Sequence, residues 1–309
     1  AIKLLITGGI FWLLSKNIEW SKVTNILATI SLKTVVFALA LITFQNLLAI
    51  LRSWIIAHSL DANITFHDAA RVFMAGLFIN QVLPSNLGGD GLRMWHLHRR
   101  GIEANRAFSS IVADRVITLI GLLALIVITQ PFVNLVANVP RSTSSFFIVL
   151  VLLLAGIWIG LRLGERICTI PGLGFLSRIV GTFQMLRLYF LSFRQLVTPA
   201  VLAVSGFVVM AFIVYVLARG LDIPLTFWQC QLLCPPIFLL ATLPISISGW
   251  GVREGAMVVV FHYLDIMSEQ ALAVSILLGL IVLAGSLPGC LYLFGSHQTA
   301  PKQPNEVVV

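Results

Sequence analysis

Two short stretches of this chain set charge beside glycine in otherwise apolar surroundings. LPSNLGGDGLR at 83–93 carries Asn86, Asp90 and Arg93 among Gly88, Gly89 and Gly91, and LPISISGWGVRE at 243–254 carries Arg253 and Glu254 beside Gly249 and Gly251. Glycines leave backbone N–H groups uncovered, so a glycine loop before a helix start can face an anion, and a following arginine adds a planar two-pronged donor. The matching chemistry is recognition of a phosphate-bearing group. A third pair, Asp114 and Arg115, opens an apolar run that reaches Gln130. A charge at bilayer depth costs ~2.5–3.5 kcal/mol on insertion scales, which makes all these residues functional candidates. The competing reading is that they neutralise one another, Asp90 with Arg93 and Arg253 with Glu254 or Asp114, as buried ion pairs that hold bent helices together.

The elements that must carry these residues are membrane helices. Of 309 residues, 59% are apolar and only 10% charged, and the mean hydropathy is +0.99. Ordinary soluble domains are ~25% charged, so a soluble fold is excluded. The net charge is +8, and fifteen of the twenty bases are arginine, which suits fixed contact with phosphate and attraction to anionic lipid heads. Membrane lipid, not nucleic acid, is the expected partner.

Uncharged intervals long enough to span run over Thr34–Leu51, Val116–Gln130, Phe146–Leu161, Gln195–Ala218 and Gln270–Phe294. Val72–Gly89 and Ile223–Val252 are also uncharged but contain Pro84 and Pro235, Pro236 and Pro244, which predicts broken helices shielded by protein or a polar cavity. Leu4–Leu14 is short for a crossing and reads as a clipped first helix. Arg93, Arg99, Arg100 and Arg106 form one basic cluster, and Arg162, Arg166, Arg178, Arg187 and Arg194 another, so both segments are expected on the cytoplasmic face of a cell inner membrane. Trp12, Trp20, Trp95 and Trp228 read as interfacial anchors. The glycines at 156, 160 and 164 fit close helix packing.

Self-similarity joins the two charged stretches. LDANITF at 60–66 matches LDIPLTF at 221–227 at a spacing of 161 residues, and the two glycine motifs match at 160, sharing Leu, Pro, two Gly and Arg. The expected organisation is one transmembrane domain over 1–294, with repeat units of about 60–130 and 221–294, and a disordered tail at 295–309. The fold class is therefore all-α and polytopic, with two internal repeats containing broken or re-entrant helices. Whether 65–93 crosses the membrane, making the copies parallel, or forms a hairpin, making them inverted, stays open at this level.

Other chemistry finds little support. Cys168, Cys230, Cys234 and Cys290 complete no metal pattern, and His96 with His98 lacks a carboxylate or thiol partner in sequence. No P-loop, HExxH or GxSxG is present. No cofactor, metal or catalytic residue is expected, and the chain reads as a non-enzyme.

LPSNLGGDGLR, the Asp114–Arg115 pair and LPISISGWGVREGA at 243–256 resemble the lysylphosphatidylglycerol synthase transmembrane family, the flippase-type region of the multiple peptide resistance factor, over about residues 4–294. The resemblance implies a multi-pass protein that moves an aminoacyl-phospholipid, or a polyprenyl-phosphate-type glycolipid, between leaflets. Asp90 and Arg253 would lie on the translocation path, with Glu254 and Arg115 as neighbours. The synthase domain of full-length relatives is missing, so lipid synthesis is not expected. Ser248 and Trp250 depart from the glycine and smaller apolar residue of the motif, which bears on the shape of the second loop. Beside this lipid translocase stand two alternatives: a secondary transporter of a small soluble anion, and a non-catalytic subunit of a glycolipid pathway. A homo-oligomer or a glycosyltransferase or synthase partner fits any of these.

Overall fold

The computed structural model describes residues 18–82, 88–136, 177–242 and 248–294, together with 7–9, 16, 155–156 and 246. In chain order the helices are α1 (Trp20–Ala28), α2 (Leu32–Ser59), α3 (Phe66–Val82), α4 (Gly88–Arg99), α5 (Ala104–Thr129, continued by a 3₁₀ turn, Gln130–Leu135), α6 (Ser177–Leu191), α7 (Phe193–Gly220), α8 (Phe227–Thr242), α9 (Val252–His262), α10 (Ser268–Ser286) and α11 (Pro288–Phe294). Four stretches are long and apolar enough to cross a membrane: Leu32–Ser59, Ala104–Val133, Phe193–Gly220 and Ser268–Leu293. The chain is thus an all-helical, multi-pass membrane protein.

The first three of these stretches outrun at both ends the uncharged interval that signals them. Arg52 lies inside α2, and Asp114 and Arg115 lie in the middle of α5. Charge marks the end of a span only where the charge is unpaired, and these are paired across helices. Most of Phe146–Leu161 and of Leu4–Leu14 falls outside the described residues, as do Trp12, Asn86, Gly160 and Gly164. Trp20, Trp95 and Trp228 are exposed, as interfacial anchors must be.

Helices α2 and α7, of 28 residues each, run antiparallel. Thr34 at the start of α2 packs on Gly220 at the end of α7, and Gln45 sits beside Gly206 midway. Gly121 of α5 then presses against Ala203 of α7, while Gly285 of α10 presses against Ile42 of α2. Small residues bring the backbones together at both crossings.

The turns after α2 and α7 are built alike. Asp61 and Asp222 both take φ 55°, and the Ala62 and Ile223 N–H groups each reach back 2.9 Å to the carbonyls of Ala57 and Ala218. Aspartate tolerates this left-handed position better than most residues, and the reach-back bond closes the helix end.

Both pairs α3–α4 and α8–α9 are hairpins. The feet of the first are clamped by an ion pair between Asp68 and Arg100, and Gly76 and Gly89 touch further in. Partial burial pushes the Asp68 carboxyl up, but the hydrogen bonds from Arg100 and Thr65 outweigh it and hold it below its ordinary value. The clamp is therefore present at neutral pH and is lost as the pH falls through that lowered value. In the second hairpin, Gly249 lies on Ala241 near the tip, and Val260 and Leu264 pack with Leu232 and Leu233 nearer the base. Because α2 and α7 are antiparallel, hairpins that follow their C-termini enter the bundle from opposite ends. The tips meet where the Ser248 hydroxyl donates to the Asn80 carbonyl.

Pro235 and Pro236 do not break the second hairpin. They lie inside α8, buried or nearly so, and the helix continues to Thr242. Packing against α5, α7 and α9 holds the helix where the missing N–H groups would otherwise end it. Gly88, Gly89 and Gly91 likewise belong to the first turn of α4 and not to a loop. Gly249 and Gly251 do form a turn, with φ 79° and 85°.

Candidate functional site

Four sequence candidates converge with one unforeseen partner. Asp90 in the first turn of α4 receives a two-pronged contact from Arg115 of α5, with Nε and Nη2 each 2.8 Å from a carboxylate oxygen. Asp114, one residue earlier on α5, points to a different side. Its Oδ1 accepts from Arg52 of α2 at 2.9 Å, and its Oδ2 accepts from both terminal nitrogens of Arg93 at 3.3 Å. Arg93 also donates to the Ser53 hydroxyl at 2.6 Å, lies 3.5 Å from Asp90 and stacks over Phe73.

Three helices thus hold three guanidiniums against two carboxylates, with one positive charge left over. Arg52, Asp90, Arg93 and Asp114 are buried, whereas the Arg115 side chain is 50% exposed. The surplus charge therefore has an outlet on one side. Beside Arg93 a cavity of ≈ 20 Å³ reaches Ser53 and Ser110, room for about one water. In this conformation the buried arginines are turned onto carboxylates.

The second motif is more closed. Glu254 is fully buried; one oxygen accepts the Gly251 N–H at 2.6 Å, and the other accepts from Arg253 and, at 3.1 Å, from the Ser275 hydroxyl of α10. Arg253 also lies over the Trp250 ring. A Cβ on Gly279 of α10 would collide with that guanidinium and that ring, so glycine there makes the room. The pair is electrically neutral. Among the described residues no hydrogen bond or ion pair joins it to the Asp90 cluster, and the link between the two motifs runs through Asn80. The Asn80 side chain accepts the Gly89 N–H at 2.8 Å while its carbonyl accepts from Ser248.

Two of the glycine N–H groups are consequently engaged by the protein, Gly89 by Asn80 and Gly251 by Glu254, in place of the anion that the sequence suggested for them. His96 and His98 direct their Nδ1 atoms at the carbonyls of Leu92 and Ile102. Among the described residues no three His, Cys, Asp or Glu side chains come together as a metal site would require.

Sequence reasoning missed Arg52, Ser53, Asn80 and Ser275. Arg52 was visible only as the charge that ended an apolar interval. The other three are neutral polar residues within or beside apolar runs and gave no signal of their own.

An all-helical bundle with apolar spans, two hairpins entering from opposite ends and an ionic cluster between them defines a polytopic membrane protein. The chain belongs to the family described as the lysylphosphatidylglycerol synthase TM region, whose model matches residues 1–289. No curated protein matches it.

Proposed function

We propose that the chain moves a phosphate-bearing lipid between leaflets and transforms no substrate. The observation that carries this reading is the contact between Arg115 and Asp90. It is the one arm of a net-positive cluster that reaches the surface, so an incoming phosphate can replace the Asp90 carboxylate on Arg115 without opening the buried Asp114 contacts. Asp90 then stands free to pair with a cationic substituent of the same head. The hairpin tips that meet at Asn80 and Ser248 enter from opposite ends, an arrangement suited to exposing the site alternately. Lipid tails remain in the bilayer throughout, and the Arg99–Arg106 end faces the cytoplasm of the inner membrane. The closed Arg253–Glu254 pair acts as the pivot of the second hairpin more than as a head-group ligand.

The test is leaflet exchange of a fluorescent phospholipid in vesicles carrying the purified chain. Arg115→Ala and Asp90→Asn are each expected to slow exchange about tenfold or more, the scale set by a charge-assisted contact. Exchange at the wild-type rate in both variants would overturn the proposal. A soluble organic phosphate that is taken up while lipid stays in place would establish the small-anion transporter instead.

A further inference from the structure

The C-terminal end of α2 borders a cavity of ≈ 210 Å³ that the site above does not use. Its walls include Ser59 and Asp61 of the turn after α2, and Leu188, Tyr189, Ser192 and Gln195 where α6 meets α7. Tyr189 is buried beneath it, its hydroxyl 3.3 Å from the Gln195 carbonyl. The tyrosine packs in one cluster with Ala113 and Ile117, the α5 residues on either side of Asp114. The cavity therefore lies next to the ionic cluster, with one aromatic ring at the boundary. Leu188, Leu191 and Phe193 beside it are 70–79% exposed, an apolar rim facing outward.

One lining residue, Asp61, is charged, and a basic residue follows closely in the chain on the other wall. The Asp61 carboxylate is 83% exposed, and its nearest cation, Arg106, is 4.0 Å away and shared with Glu103. Ser192 and Gln195, which line the cavity, flank Arg194 in the chain; its side chain is exposed and, among the described residues, in no ion pair. The positions one repeat spacing away, Gly220 for Ser59 and Thr34 for Gln195, are closed at the opposite end of the bundle, where a Cβ on Gly220 would overlap Thr34. An opening at this end is thus not a necessary result of how α2 and α7 pack.

We infer that this cavity is an entry site for the head of a zwitterionic phospholipid. The phosphate sits toward Arg194, the ammonium sits toward Asp61, and the tails run over Leu188 and Phe193 into the bilayer. The assignment deepens the translocase reading by naming a lipid class, and it rests on that reading for passage beyond Tyr189.

Native mass spectrometry of the full chain, exposed to equal amounts of phosphatidylethanolamine and phosphatidylglycerol, tests it. The wild type is expected to retain phosphatidylethanolamine in preference. Asp61→Asn, whose side chain suits the same left-handed turn, is expected to lower that retention roughly three- to fivefold and leave phosphatidylglycerol unchanged, the range for one exposed charge pair. Arg194→Gln should lower both. Equal retention of the two lipids by the wild type, or an Asp61→Asn protein that still prefers phosphatidylethanolamine, would overturn the assignment. So would full competition by soluble glycerophosphoethanolamine, which has the head without the tails. Retention that depends on Asp61 with no leaflet exchange in vesicles would keep the entry site and remove the translocase. Exchange that proceeds while retention ignores Asp61 would do the reverse.

Discussion

Asp114→Ala is expected to destabilise the protein by about 3–5 kcal/mol, the range for breaking a buried ion pair from one side. The carboxylate is only 3% exposed and is shared by Arg52 and Arg93, themselves 8% and 7% exposed. Without it two guanidiniums remain among apolar helices, and the polar partners left to them are the Ser53 hydroxyl and a more distant Asp90. Domains are commonly stable by only about 5–15 kcal/mol, so the loss should appear as a large drop in melting temperature and in yield from detergent. Asp114→Asn keeps one acceptor and should cost less. Combining Asp114→Ala with Arg52→Leu removes one of the stranded charges and should recover part of the loss, a coupling that a double-mutant cycle measures directly. A melting temperature in Asp114→Ala equal to wild type would show that water reaches the cluster freely. Arg115→Ala supplies the contrast, because a half-exposed guanidinium leaves Asp90 with Arg93 still nearby. It should impair exchange much more than stability.

This division between neighbouring residues was not legible in the sequence. Asp114 and Arg115 are adjacent, and adjacency on a helix sends side chains to different faces, about 100° apart. One faces α2 and the other an exposed flank of α4. The i, i+3 spacing of Asp90 and Arg93 suggested that they pair with each other, yet the tighter contacts of both are made to α5 or α2. Local spacing names the partners in reach but does not rank them against partners on other helices. For Arg253 and Glu254, where the alternatives were Glu254 or Asp114, the neighbour in sequence is the partner, because the tight turn at Gly249 and Gly251 folds Glu254 back on its own helix start.

The architecture was more accessible. Apolar length located four spans, and the 160- to 161-residue spacing pointed at two turns that share the same φ at Asp61 and Asp222. Proline was the misleading signal. Pro84 falls outside the described residues, and Pro235 and Pro236 stay helical, because neighbouring helices decide whether the missing donor matters. Whether the first glycine motif crosses or turns back was undecidable from sequence, since charge favoured one answer and glycine the other. The Asp68–Arg100 clamp, which spans 32 residues, settles it as a hairpin.

Glycine spacing within that hairpin leads to the second large effect. Gly89→Ala is expected to abolish exchange and to lower stability sharply, whereas Gly91→Ala, two residues on, should be neutral or slightly stabilising. At Gly89 an added Cβ would overlap the Gly76 carbonyl oxygen and crowd Asn80 at 2.7 Å. Neither the opposing backbone nor an asparagine held by its side chain to Gly89 and by its main-chain carbonyl to Ser248 can retreat, so α3 and α4 must separate. Separation takes Asp90 and Arg93 away from α5 and breaks the bond through which Asn80 meets Gly89. At Gly91 nothing lies within 4 Å of an added Cβ, and alanine favours a helix over glycine by about 0.5–1 kcal/mol. The two glycines are alike in sequence, so the comparison isolates hairpin contact from helix propensity. Thermal melting together with leaflet exchange reads both quantities on the same preparations. Equal behaviour of the two variants would mean that α3 and α4 are not in backbone contact while lipid passes, and that the hairpin opens as part of the transport cycle.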